Sequence, residues 1–145
     1  MIRMLTIGLF AAQVGMAFDQ GAATHHFRLT TAGGFIQVEA NDPADSTTRD
    51  AIRAHLKTIA TQFAGGDFSA PFVTHGEVPP GVPTMRKLKS DIAYSFESTG
   101  KGGRVRVSTT NGAALAAIHE FLRYQIREHA TDDPTEPGGS TRDNR

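Results

Sequence analysis

Residues 25–40 read His-His-Phe-Arg-Leu-Thr-Thr-Ala-Gly-Gly-Phe-Ile-Gln-Val-Glu-Ala, and the fold turns on this stretch. His25, Phe27 and Leu29 fall at every second position, so in a strand they share one face. Thr31-Ala32-Gly33-Gly34 is a turn signal, and Phe35 to Ala40 is a second strand-like run, which makes the whole a hairpin. Asn41-Asp42-Pro43 ends the strand, and Asp45 or Ser46 suits a helix N-cap. From Thr48 to Phe63, Ile52, Leu56, Ile59 and Phe63 recur at helical spacing until Gly65-Gly66 stops them.

The same plan recurs downstream. Ile92 to Glu97 is strand-like, Thr99 to Gly103 turns the chain, and Val105 and Val107 face inward on the return. Asn111 is placed to cap a helix reaching about His129, with Leu115, Ile118, Leu122 and Ile126 on its apolar stripe. Gly33-Gly34 matches Gly102-Gly103, and Ala51-Ile52 with Leu56 matches Ala117-Ile118 with Leu122, the pattern of an internal repeat. The expected fold is α+β: two ββα units forming a four-stranded antiparallel sheet with two helices packed on one face.

Composition bounds what such a domain does. The chain has 145 residues, 39% of them hydrophobic, which suits one modest core. Fifteen basic residues balance fifteen acidic ones, which argues against a nucleic-acid binder. No run of about 20 apolar residues predicts stable membrane insertion. There are no cysteines, hence no disulfide, thiolate metal site or Cys nucleophile. Residues 1–17, MIRMLTIGLFAAQVGMA, have the basic start, apolar middle and small-residue end of a signal peptide. This predicts a periplasmic or secreted protein; the alternative is an apolar first element of a cytoplasmic one. Residues 18–131 then form the domain, with 65–90 as a long link packed through Phe68, Phe72, Val73 and Val82. Residues 132–145 read as a disordered tail.

The six histidines carry the functional signal. His25 lies on the inward strand face, whereas His26 points outward beside Arg28. His55 borders the stripe of the first helix, three residues after Ile52 and four before Ile59. His119 borders the stripe of the second, and His129 continues it at the C-terminus. His75 lies in the link. Each alone suits a hydrogen-bonded core residue, and His129 also suits a helix C-terminus. Together they suggest a transition-metal site, because an unsatisfied buried polar group costs about 1–3 kcal/mol and a shared ion offsets it. Imidazole donors point to copper or zinc, with iron possible, rather than calcium or magnesium. Met16 or Met85 would add a thioether, and Asp67 or Glu120 an oxygen or an outer hydrogen-bond acceptor. Arg49, Arg53 and Lys57 read as a solvated helix face.

The order of Phe18-Asp19, Thr24-His25 with Phe27, Gly33-Gly34, Ile52-Arg53 with His55-Leu56, Gly66-Asp67-Phe68-Ser69, His75-Gly76, Ala117-Ile118-His119 and His129 resembles a family of small bacterial proteins. Members of that family commonly carry the automatic label "aspartate carbamoyltransferase". The resemblance spans about residues 16–131 and implies that His25, His55, His75, His119 and His129 belong together. The label's chemistry does not carry over. A carbamoyltransferase chain is far longer, with a Ser-Thr-Arg-Thr phosphate motif, and here Ser140-Thr141-Arg142 is followed by Asp143 in the polar tail.

Three functions are therefore expected, in order: metal holding, delivery or sensing; a metal-dependent hydrolase or oxidoreductase at the same histidines; and an interaction domain without metal. A closed ligand set favours the first, and three ligands with an open position the second. Dispersed rings favour the third.

Overall fold

In the computed structural model, which describes residues 18–70 and 76–138, the alternation in the quoted stretch becomes a hairpin of β1 (Ala23–Thr30) and β2 (Gly33–Ala40). Phe27 opposes Ile36 and His25 opposes Val38, so the alternating residues of both strands face the same side. β3 (Ile92–Ser98) and β4 (Gly102–Thr109) form the second hairpin, with Tyr94 opposite Val107 and Phe96 opposite Val105. The hairpins join through antiparallel β2 and β4, giving one sheet of order β1-β2-β4-β3.

Both long helices cover the inward face. α1 (Ser46–Ala64) starts at Asp45, whose carboxylate accepts from the Thr48 amide at 3.0 Å. α3 (Gly112–Glu128) starts at Asn111, which accepts from the Ala113 and Ala114 amides at 2.9 and 3.1 Å. The helices cross over between hairpins: α1, which follows β2, lies mainly on β4 and β3, and α3, which follows β4, lies mainly on β1 and β2. The two ββα units are thereby interlocked around one core, centred on Leu29, Val38, Ile52, Val105, Ile118 and Leu122. Among the described residues no helix is long and apolar enough to cross a membrane.

Arg53 corrects the expectation of a solvated helix face. Its Nε donates to the Gly102 carbonyl at 2.9 Å and its Nη2 to the Thr99 carbonyl at 2.6 Å, so one guanidinium ties α1 to the β3–β4 turn. The helical period placed Arg53 beside the stripe, but the turn carbonyls it meets come from 46 and 49 residues away.

The link between units contains a further helix, α2 (Val82–Lys87), not expected from the sequence. Six residues with a proline near the start carry too little periodicity to announce themselves. Val82 and Met85 are buried, and Phe68 stacks on Phe63 at 4.4 Å. Phe72 and Val73 lie outside the described residues. Gly81 opens α2 with a φ of 84°, where an added Cβ would stand 2.1 Å from the Ala117 carbonyl oxygen of α3. We expect Gly81→Ala to cost roughly 2–4 kcal/mol, through left-handed strain and the loss of this close approach. Urea unfolding checks it; a cost under about 0.5 kcal/mol would show that α2 lifts off freely.

The tail also departs from expectation. Asp133 docks on edge strand β1, accepting from the Phe27 amide at 3.0 Å and pairing with His26 Nδ1 at 3.0 Å. Arg123 holds the Thr135 carbonyl at 2.8 Å. The segment is polar because it satisfies an open strand edge rather than filling a core. Burial works to raise the Asp133 carboxyl, but the Phe27 amide, the Thr131 side chain and His26 together outweigh it and hold the group below its ordinary range.

Candidate functional site

Strand alternation puts His25 on the helix-facing side of β1, in line with Phe27 and Leu29. At this end of the sheet α3 terminates, and its C-cap is His129, whose backbone N–H returns to the Gln125 carbonyl at 2.9 Å. The two imidazoles stack, with centroids 5.0 Å apart and planes inclined by 25°. Phe27 closes one side, 5.1 Å from the His129 ring and 6.3 Å from His25.

Phe18 closes another. It is buried, stacks 6.4 Å from His25, and meets His55 of α1 edge-on at 5.7 Å. One phenyl ring thus bridges an imidazole from the sheet and one from a helix. Three histidines from three elements gather around two phenylalanines, and the bridging role of Phe18 was not read from the sequence. Its signal was faint: a lone aromatic in a segment otherwise polar or small.

His25 is the least satisfied member. Its Nε2 is cut off from solvent and has no hydrogen-bond partner. Burial, then the neighbouring His129, His55 and His26, pushes its pKa down to about 4. Burial lowers His55 as well. At neutral pH both rings are therefore neutral, with a lone pair on one nitrogen.

His119 does not join them. Its Nε2 donates to the Thr30 carbonyl at 2.8 Å and to the Gly33 carbonyl at 3.0 Å, at the β1–β2 turn. Two carbonyl acceptors require the proton on that nitrogen, which leaves it no lone pair for an ion. The reason is helical geometry. His119 and His129 stand ten residues apart on one continuous helix, roughly 15 Å along its axis. The stripe put them on the same side, but at opposite ends of the sheet. His119 therefore lies apart from His25, His55 and His129, which the sequence groups with it.

The remaining candidates are also accounted for. His75, Met16 and the candidate signal peptide lie outside the described residues. Met85 is buried core on α2. Asp67 accepts from the Ser69 amide and hydroxyl at 3.0 and 2.6 Å, contacts that lower its carboxyl. Glu120 is exposed. Among the described residues, no group of three or more His, Asp or Glu side chains lies where it could hold a metal ion.

No protein-family model, curated protein or solved structure matches the chain.

Proposed function

We propose that the protein holds a transition-metal ion, copper or zinc first and iron next, at His25, His129 and His55, for storage, delivery or sensing. The buried and unpartnered Nε2 of His25, inside a ring stack with a second histidine, is the observation that carries this reading. A bare imidazole nitrogen in an apolar surround is a cost that ligation removes. His55 and His129 are both half-buried.

Untagged protein from cells grown with trace metals is expected to carry stoichiometric metal by elemental analysis. His25→Phe and His129→Asn should lose it, and His75→Ala tests whether the link contributes a ligand. His119→Asn separates the roles: it should keep the metal yet cost about 1–3 kcal/mol in urea unfolding, because it serves the turn carbonyls. Metal-free wild type, unable to take up added copper or zinc, would decide for the metal-free interaction domain. One observation bears on that second reading: on the sheet face away from the helices, the Arg104 and Arg106 guanidinium groups stand over the Phe35 ring at 4.8 and 5.6 Å.

A further inference from the structure

The sheet face turned away from the helices carries a cation with no carboxylate counterpart. Ile36 and Val38 of β2 and Val105 and Val107 of β4 are buried against the helices, so Phe35, Arg104 and Arg106 project on the opposite side. In the register, Arg28 on β1 and Arg106 on β4 stand directly opposite Phe35. The Arg104 and Arg106 guanidinium groups lie over its ring, which holds them in place without neutralising them. Glu97 is the register partner of Arg104, yet its carboxylate accepts from Arg106 Nε at 2.6 Å. Arg104 is left with a neutral partner, donating from Nη2 to the Gln37 side-chain carbonyl at 2.6 Å. Gln37 in turn donates to Glu39 at 3.0 Å, and Glu39 also accepts from the Thr99 hydroxyl at 3.0 Å. Arg104 Nε is cut off from solvent and has no hydrogen-bond partner. Among the described residues, Arg104 is a half-buried, pre-positioned cation that ion-pairs with no carboxylate.

We propose that this face docks an extended acidic segment of a partner protein, with Arg104 receiving one carboxylate and Arg106 a second, two residues further along it. The proposal does not rest on the metal reading, since His25 lies on the helix-facing side of the same sheet. Charge complementarity is the first argument. A half-buried guanidinium without a counter-ion is costly, and an incoming carboxylate offsets that cost through charge-assisted hydrogen bonds. The donors it meets are already fixed by the Phe35 ring, so little side-chain freedom is lost on docking. Spacing is the second argument. Arg104 and Arg106 stand two residues apart on one strand face, roughly 7 Å, and acids at alternate positions of an extended peptide repeat at the same interval. Single-stranded nucleic acid fits less well. The guanidinium groups already cover the Phe35 ring, which leaves it closed as a platform for a base.

The test uses the full, untagged chain with a metal chelator present, so its outcome is independent of the histidines. A fluorescently labelled peptide alternating glutamate with threonine is titrated by anisotropy in low-salt buffer. It is expected to bind, and the same peptide with glutamine in place of glutamate is expected not to. Arg104→Gln and Arg106→Gln should each weaken binding about tenfold or more. Arg127→Gln, which removes an exposed arginine at the end of α3, should stay within about twofold of wild type. Should Arg104→Gln misfold by circular dichroism, Arg106→Gln decides alone, since Arg106 is exposed. No binding of the acidic peptide, equal binding of the glutamine peptide, or an equal loss in Arg127→Gln overturns the proposal. A single-stranded oligonucleotide that binds more tightly than the acidic peptide overturns it too. So does a dimer in sedimentation that Arg104→Gln dissolves, which would assign the face to a second copy of this chain.

Discussion

Metal-free protein should lose up to about 3 kcal/mol of folding stability between pH 6.5 and pH 4, and His25→Phe should abolish most of that loss. The folded chain holds His25 near 4, whereas the unfolded chain returns it to the ordinary 6.5. Above pH 6.5 both states carry a neutral ring and the shift costs nothing. As the pH falls through 6.5, the unfolded chain takes up a proton that the folded chain refuses, so unfolding gains ground. The loss levels off near pH 4, where the folded ring titrates as well. The figure is an upper one because the ring keeps some solvent contact. His55 is lowered by burial and acts in the same direction. The lowered carboxyls of Asp45, Asp67 and Asp133 act in a separate window, from 3.8 downward, because their stabilisation is lost only as they are protonated. Urea unfolding at pH 7.5 and 4.5 decides the matter. Wild type should show the drop and His25→Phe little change; equal drops in both would remove His25 from the account.

Gly33→Ala should be the most damaging glycine-to-alanine change among the described residues, costing about 4 kcal/mol or more and lowering Tm by about 13 °C or more. Gly33 has a φ of 152°, and an added Cβ would stand 2.0 Å from the Val107 carbonyl oxygen. The obstacle is the backbone of β4, which has no rotamer to move. Relief would require parting β2 from β4, the strand pairing through which the two hairpins form one sheet. The Gly33 carbonyl also accepts from His119, so the displacement would unsettle that ring too. Gly100 is the control: an added Cβ meets nothing within 4 Å, and Gly100→Ala should stay within about 0.5 kcal/mol of wild type. Thermal unfolding of the two variants gives the comparison, and matching Tm values would mean that the β2–β4 junction yields easily.

Local rules were legible where one element decided the outcome. The period of two in 23–40 and 92–109 marked the strands, the period of 3.6 marked both long helices, and Asp45 and Asn111 capped them as their side chains suggest. The same rules failed where a residue's partner lies far along the chain. Arg53 read as solvated because its turn carbonyls were invisible from the helix alone. Asp133 read as tail because its partner is an edge amide of β1. A helix stripe records which side His119 faces and not its height along the axis, so the stripe alone does not show that it meets the turn carbonyls rather than His129.

The sequence by itself determined the elements, their inward faces and the presence of histidines on those faces, because strand and helix periods are properties of the backbone repeat. Only the tertiary structure decided which histidines meet. α3 crosses to the first hairpin and runs the length of the sheet, so its last residue reaches His25 while His119 is delivered to the turn at the far end. The distance between two side chains is set by how elements stack, and no repeat within a single element records it.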